Sequence, residues 1–127
     1  MTWTMSPCSD YANAIKVFTK KWPHEMRAVA NNLRTLMQSL DRGANPEQVK
    51  SLGFVHGNYA LGILSIDETG HEKGSKPKSI RLYIFPCETE KSVYVMLLGD
   101  KSSQHNDVKL CKDFVSKKLS TITPKPK

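Results

Sequence analysis

The chain has 127 residues and a mass of 14.3 kDa, a size that suits one hydrophobic core and excludes two. Hydrophobic residues make up 39% of it, which argues against a wholly disordered chain, and the absence of a run of about 18 apolar residues argues against a membrane-spanning helix. Nineteen Lys and Arg against 12 Asp and Glu leave a net charge of +7, so polyanions, nucleic acid foremost, are the leading class of partner.

The opening Met1-Thr-Trp-Thr-Met-Ser-Pro7 lacks the basic-then-apolar layout of a secretory signal, and the expected location is cytoplasmic. Ser9-Asp10 suits a helix cap, and Tyr11, Ile15, Phe18 and Trp22 recur on one helical face, which predicts a first helix from Asp10 to Lys21. Pro23 suits the first turn of a second helix, with a stripe running from Met26 through Val29, Leu33 and Leu36 to Leu40 and Gly43 as its stop. A further helical turn is expected over Pro46–Lys50.

Beyond this point short apolar runs broken by Gly and Pro predict strands. Phe54–His56 and Tyr59–Ile66 flank Gly57-Asn58, a two-residue hairpin turn, and Ile80–Phe85 and Ser92–Leu98 form a second hairpin. Alternation sets Ile80, Leu82 and Ile84 on one side of their strand and Arg81, Tyr83 and Phe85 on the other. With the aliphatic side against the helices, Arg81 and Tyr83 fall on an open face.

Asn106 or Asp107 suits the cap of a last helix, with Val108, Cys111, Phe114, Val115 and Leu119 inward and Lys109, Lys112, Lys117 and Lys118 mostly outward. The expected fold class is α+β: two N-terminal helices packed on an antiparallel sheet of about four strands, with a C-terminal helix. One domain over residues 1–119 is followed by a disordered basic tail over 120–127.

No phosphate-loop, dinucleotide, zincin or serine-hydrolase motif occurs. Cys8, Cys87 and Cys111 lie far apart and form no C-x-x-C pair, so neither a metal set nor a disulfide framework is expected, and no cofactor is implied. What remains is a polar, basic layer. Lys73, Lys76 and Lys78 sit in the Gly- and Ser-containing segment 67–78, a composition suited to a phosphate backbone or to a solvated loop. Arg81 on an open face offers a two-pronged phosphate contact beside Tyr83. Lys101 and His105 follow a strand end, and His105 is the group there that titrates near neutrality, a candidate proton carrier. Asp107 suits a cap, while His56 and His71 carry less information.

The strings Ser79-Ile-Arg-Leu-Tyr-Ile-Phe85 and Ser92-Val-Tyr-Val-Met-Leu-Leu-Gly-Asp-Lys101, followed by the helix from Asp107 to Lys118, resemble the RelE/ParE superfamily of bacterial toxins. The resemblance covers residues 10–119 in element order, with its motifs in the C-terminal third. It implies a type II toxin that cuts messenger RNA on the ribosome as an endoribonuclease, the RNA 2′-hydroxyl attacking the adjacent phosphate, and that a cognate antitoxin silences it. Arg81 and Lys101 carry over as catalytic residues, and Lys76 and Lys78 as phosphate-binding ones. The segment 67–78 is longer than is usual there, and the last helix lacks the tyrosine that several ribosome-dependent members carry. Two alternatives share the fold: a non-catalytic basic binding module and a gyrase-inhibiting toxin.

Overall fold

In a computed structural model, which describes residues 2–8, 11–57, 59–68, 80–100 and 102–122, the described chain enters on a strand, β1 (Thr4–Pro7). Trp3 buries its indole and donates its backbone N–H to Asp41 Oδ1 at 2.7 Å. Pro7, which lacks a donor, is tolerated because β1 lies at the sheet edge.

Helix α1 (Tyr11–Lys21) meets α2 (Pro23–Asp41) at Trp22, whose ring packs edge-on against Phe18 at 5.2 Å. Pro23 occupies the first turn, where its missing N–H costs nothing. The α2 terminus is a Schellman motif: Gly43, at φ 107°, donates to Leu40 O, and Ala44 donates to Ser39 O at 3.0 Å. A 3₁₀ turn (Gln48–Ser51) then leads to β2 (Val55–His56), a second 3₁₀ turn (Ala60–Gly62) and β3 (Leu64–Ile66). The chain continues through β4 (Ile80–Cys87), β5 (Ser92–Asp100) and α3 (Gln104–Ile122).

The sheet order is β1-β5-β4-β3-β2, antiparallel except that β1 runs parallel to β5. Its two faces are both apolar. Ile80, Leu82 and Ile84 join Leu36 and Leu40 of α2 in one cluster, while Tyr83, Phe85 and Cys87 join Cys111 and Val115 of α3 in another. A bulge in β5 reconciles them: Tyr83 pairs with Leu97 and Ile84 with Val95, so Met96 is the extra residue and turns toward α3. Near the other end of α3, Tyr94 hydrogen-bonds Glu90, and Lys118 pairs with Glu90 at 3.3 Å above the Tyr94 ring.

The α+β class holds, and the architecture departs from expectation in three ways. Among the described residues the sheet has five strands and is mixed, because β1 precedes the helices and returns to pair with β5; four residues with Pro at the end carry little strand signal. The tight Gly57-Asn58 hairpin is replaced by a longer connection, since Leu61 and Gly62 take positive φ (64° and 80°) and break the run from Tyr59 to Ile66; Asn58 itself lies outside the described residues. Helix α3 begins already at Gln104, ahead of the expected cap, and covers the sheet face opposite α1 and α2. Tyr83, Phe85 and Met96 make that face too apolar to stand in water. No helix among the described residues is long and apolar enough to cross a membrane.

Candidate functional site

Arg81 sits on the α3 side of β4, half-buried. Its Nη1 donates to Tyr59 Oη at 3.3 Å and to Ser65 Oγ at 3.5 Å, both long and both to neutral oxygens, and no carboxylate among the described residues pairs with it. Tyr59 and Ser65 also bond each other at 2.9 Å. Across β5 the partner of Arg81 is Gly99. A Cβ on Gly99 would lie 1.8 Å from Asp107 Oδ2, so any larger residue there would make the carboxylate that α3 lowers onto the strand shift. Burial holds that carboxyl above its ordinary range, against a hydrogen bond from Ser103 Oγ at 2.6 Å, and Asp100 adds to the effect.

Tyr59 also forms one wall of an open cleft of about 580 Å³, whose other wall is the first turns of α3 with His105, Lys109 and Lys112. These three recur at steps of four and three on one helix face, and all are exposed. The helix N-terminus adds its partial positive charge at the same place. The cleft is thus a cationic trough with the Arg81 network behind Tyr59, suited to an anion such as a phosphodiester. No family model, curated protein or solved structure matches the chain.

Of the residues singled out from the sequence, Arg81 and His105 are joined through Tyr59: Arg81 bonds it and His105 lines the same cleft. His105 belongs to the first turn of α3 and not to a loop. Tyr83 is corrected: the open face expected around it is covered by α3, it is 0% exposed, and it meets Tyr59 edge-on at 5.7 Å, so it cannot touch RNA in this arrangement. Lys73, Lys76, Lys78 and Lys101 lie outside the described residues. Tyr59 carries no sign of this position in the sequence, where it reads as a strand residue, whereas the spacing of His105, Lys109 and Lys112 is legible as a stripe. Among the described residues no group of three His, Cys, Asp or Glu is placed to hold a metal ion.

Two buried groups behind the cleft are inert. Burial, reinforced by Asp107 and Cys8, pushes the Cys111 thiol up to about 12, so at neutral pH it is a packing group rather than a nucleophile. Burial likewise raises the Tyr83 phenol, with Tyr59 and Asp107 adding and Arg81 opposing, and its hydroxyl has no hydrogen-bond partner among the described residues. A buried hydroxyl without a partner costs about 1–3 kcal/mol. Tyr83→Phe is therefore expected to unfold in urea at the same midpoint or a higher one. A clear drop in the midpoint would show that the hydroxyl is engaged.

Proposed function

We propose that the chain is an RNA-binding toxin of the RelE/ParE kind that cuts messenger RNA on the ribosome, acts in the cytoplasm and is restrained by a cognate antitoxin. The observation that supports this best is Arg81: a guanidinium held only by two neutral hydroxyls among the described residues, behind a cleft walled by His105, Lys109 and Lys112. A phosphodiester in the cleft would offer the anionic oxygens that Tyr59 and Ser65 do not. As the 2′-oxygen closes on phosphorus, charge grows on the phosphoryl oxygens, and a donor already fixed in place stabilises that charge without reorganising. In this reading Lys109 and Lys112 hold the flanking backbone, Lys73, Lys76 and Lys78 stay candidate RNA contacts and Lys101 a candidate catalytic residue, and His105 is at hand to carry a proton.

A second reading, a basic module that docks on a polyanion without cutting, draws on the exposure of His105, Lys109 and Lys112, a positive stripe that binds with or without Arg81. Primer extension on total messenger RNA after brief induction separates the two: codon-spaced cuts support the nuclease, and growth arrest without cuts supports the module.

In either case affinity is electrostatic. The logarithm of the binding constant for single-stranded RNA should fall linearly with log salt, and Lys109→Ala with Lys112→Ala should reduce the slope by about 1.4, close to 0.7 for each phosphate no longer neutralised. An unchanged slope and affinity in the double variant would remove the α3 stripe from the interface.

A further inference from the structure

A second histidine stands on the same sheet face as Arg81. His56 in β2 is the register partner of Ser65 in β3, and Ser65 is the partner of Tyr83 in β4. Directly opposed residues of antiparallel strands point to one face, their Cβ atoms roughly 4.5–5.5 Å apart, so the imidazole rises beside the hydroxyl that contacts Arg81 Nη1. Its Nε2 lies 2.5 Å from Asp67 Oδ2, with the histidine side chain 35% exposed and the aspartate 10%. Asp67 is fixed in turn: its N–H donates to Phe54 O at 3.1 Å, and its carbonyl accepts the Asn32 amide at 2.8 Å. The β3–β4 ladder ends at Ile66 and Leu82, and Asp67 and Arg81 are the residues that follow and precede these in the chain.

This is a nearly buried carboxylate holding one ring nitrogen of a partly exposed histidine. Donating Nε2–H to the carboxylate selects the tautomer whose Nδ1 carries the lone pair that can take a proton. Ser65 is 0% exposed and its hydroxyl is engaged by Tyr59 and Arg81, which excludes it as a nucleophile in this arrangement. Among the described residues, Lys50 packs its stem on the neighbouring Gly57 and pairs its ammonium with Glu47 at 3.1 Å, and Glu68, next to Asp67 in the chain, accepts the Ile80 N–H at 2.9 Å.

We infer that His56, oriented by Asp67, is the proton-accepting catalytic residue of the Arg81 site, a role that rests on the nuclease reading. His56 Nδ1 takes the proton of the 2′-hydroxyl as the 2′-oxygen bonds to phosphorus. The bond from phosphorus to the 5′-oxygen breaks, and that oxygen leaves with a proton from water. The products are a 2′,3′-cyclic phosphate and a 5′-hydroxyl, and the imidazolium returns its proton to solvent. Asp67 is a positioning residue.

The test uses the full chain with ribosome-programmed messenger RNA for cleavage and a 2′-O-methyl RNA, which lacks the nucleophile, for binding. His56→Gln is expected to bind the methylated RNA as the wild type does, to cut about 10²-fold more slowly or worse, and to lose the fall in rate that acidification causes in the wild type by protonating the base. Asp67→Asn should cut slowly with altered pH dependence. Thermal melts establish that both variants fold, and His56→Asn replaces the glutamine variant if that one does not. Cleavage by folded His56→Gln at the wild-type rate with its acid limb intact would overturn the role of His56 and leave the nuclease reading standing. A wild type that binds the methylated RNA and cuts nothing between mildly acidic and alkaline pH would overturn the nuclease reading, and the role of His56 with it.

Discussion

Under the proposed nuclease reading, Arg81→Ala is expected to lower the rate of messenger RNA cleavage by about 10²-fold or more while changing affinity for the ribosome far less. Two features of its surroundings predict that the fold survives. Among the described residues the guanidinium makes only two long bonds, at 3.3 and 3.5 Å, and the hydroxyls it leaves behind already bond each other at 2.9 Å, so removing the side chain orphans neither of them. The loss then falls on the transition state, where charge on the phosphoryl oxygens would otherwise meet a donor held in place. Arg81→Lys should recover little, because an ammonium is a point charge and cannot reproduce a planar two-pronged contact. Single-turnover cleavage alongside an equilibrium binding measurement separates the effects. A folded Arg81→Ala that cuts at the wild-type rate would take Arg81 out of the site, whereas loss of RNA affinity in a protein that never cut would favour the binding module.

The largest effect on stability is expected at Leu36. It lies on the sheet-facing stripe of α2, is 0% exposed, and packs in the cluster that holds Ile80, Leu82 and Ile84 of β4. Leu36→Ala removes buried methyl and methylene groups and leaves a cavity between a helix and a central strand, neither of which can collapse freely, so the cost should be about 2–5 kcal/mol. Leu33, at 8% exposure, belongs to the same stripe and should cost less. Urea unfolding with unchanged cooperativity and a much lower midpoint is the expected result. A midpoint within error of wild type would mean that the α2 stripe is not seated on the sheet.

The helices are legible in the sequence because their signals are local. The three- and four-residue rhythm from Met26 to Leu40, Pro23 at a first turn and Gly43 at a stop each depend on a few neighbouring residues, and α2 and its Schellman cap follow them. Strict alternation from Ile80 to Phe85 likewise separates the residues that face α2 from those that face away. Three things depend on residues far apart in the chain. β1 is a strand because Val93 and Val95 of β5 accept it as a partner some ninety residues on; its own four residues carry no periodicity to read. Whether the face bearing Arg81 lies open turns on α3, whose apolar residues show that it packs somewhere but not on which face, and its arrival buries Tyr83 while leaving Arg81 at the margin. His56 and Asp67, separated by a 3₁₀ turn and two backbone positions of positive φ, have no shared motif, and only the pairing of β2 with β3 brings carboxylate to imidazole. Local chemistry decides which elements form, whereas long-range pairing decides which polar side chains share a face, and the candidate site is made of the second kind of fact.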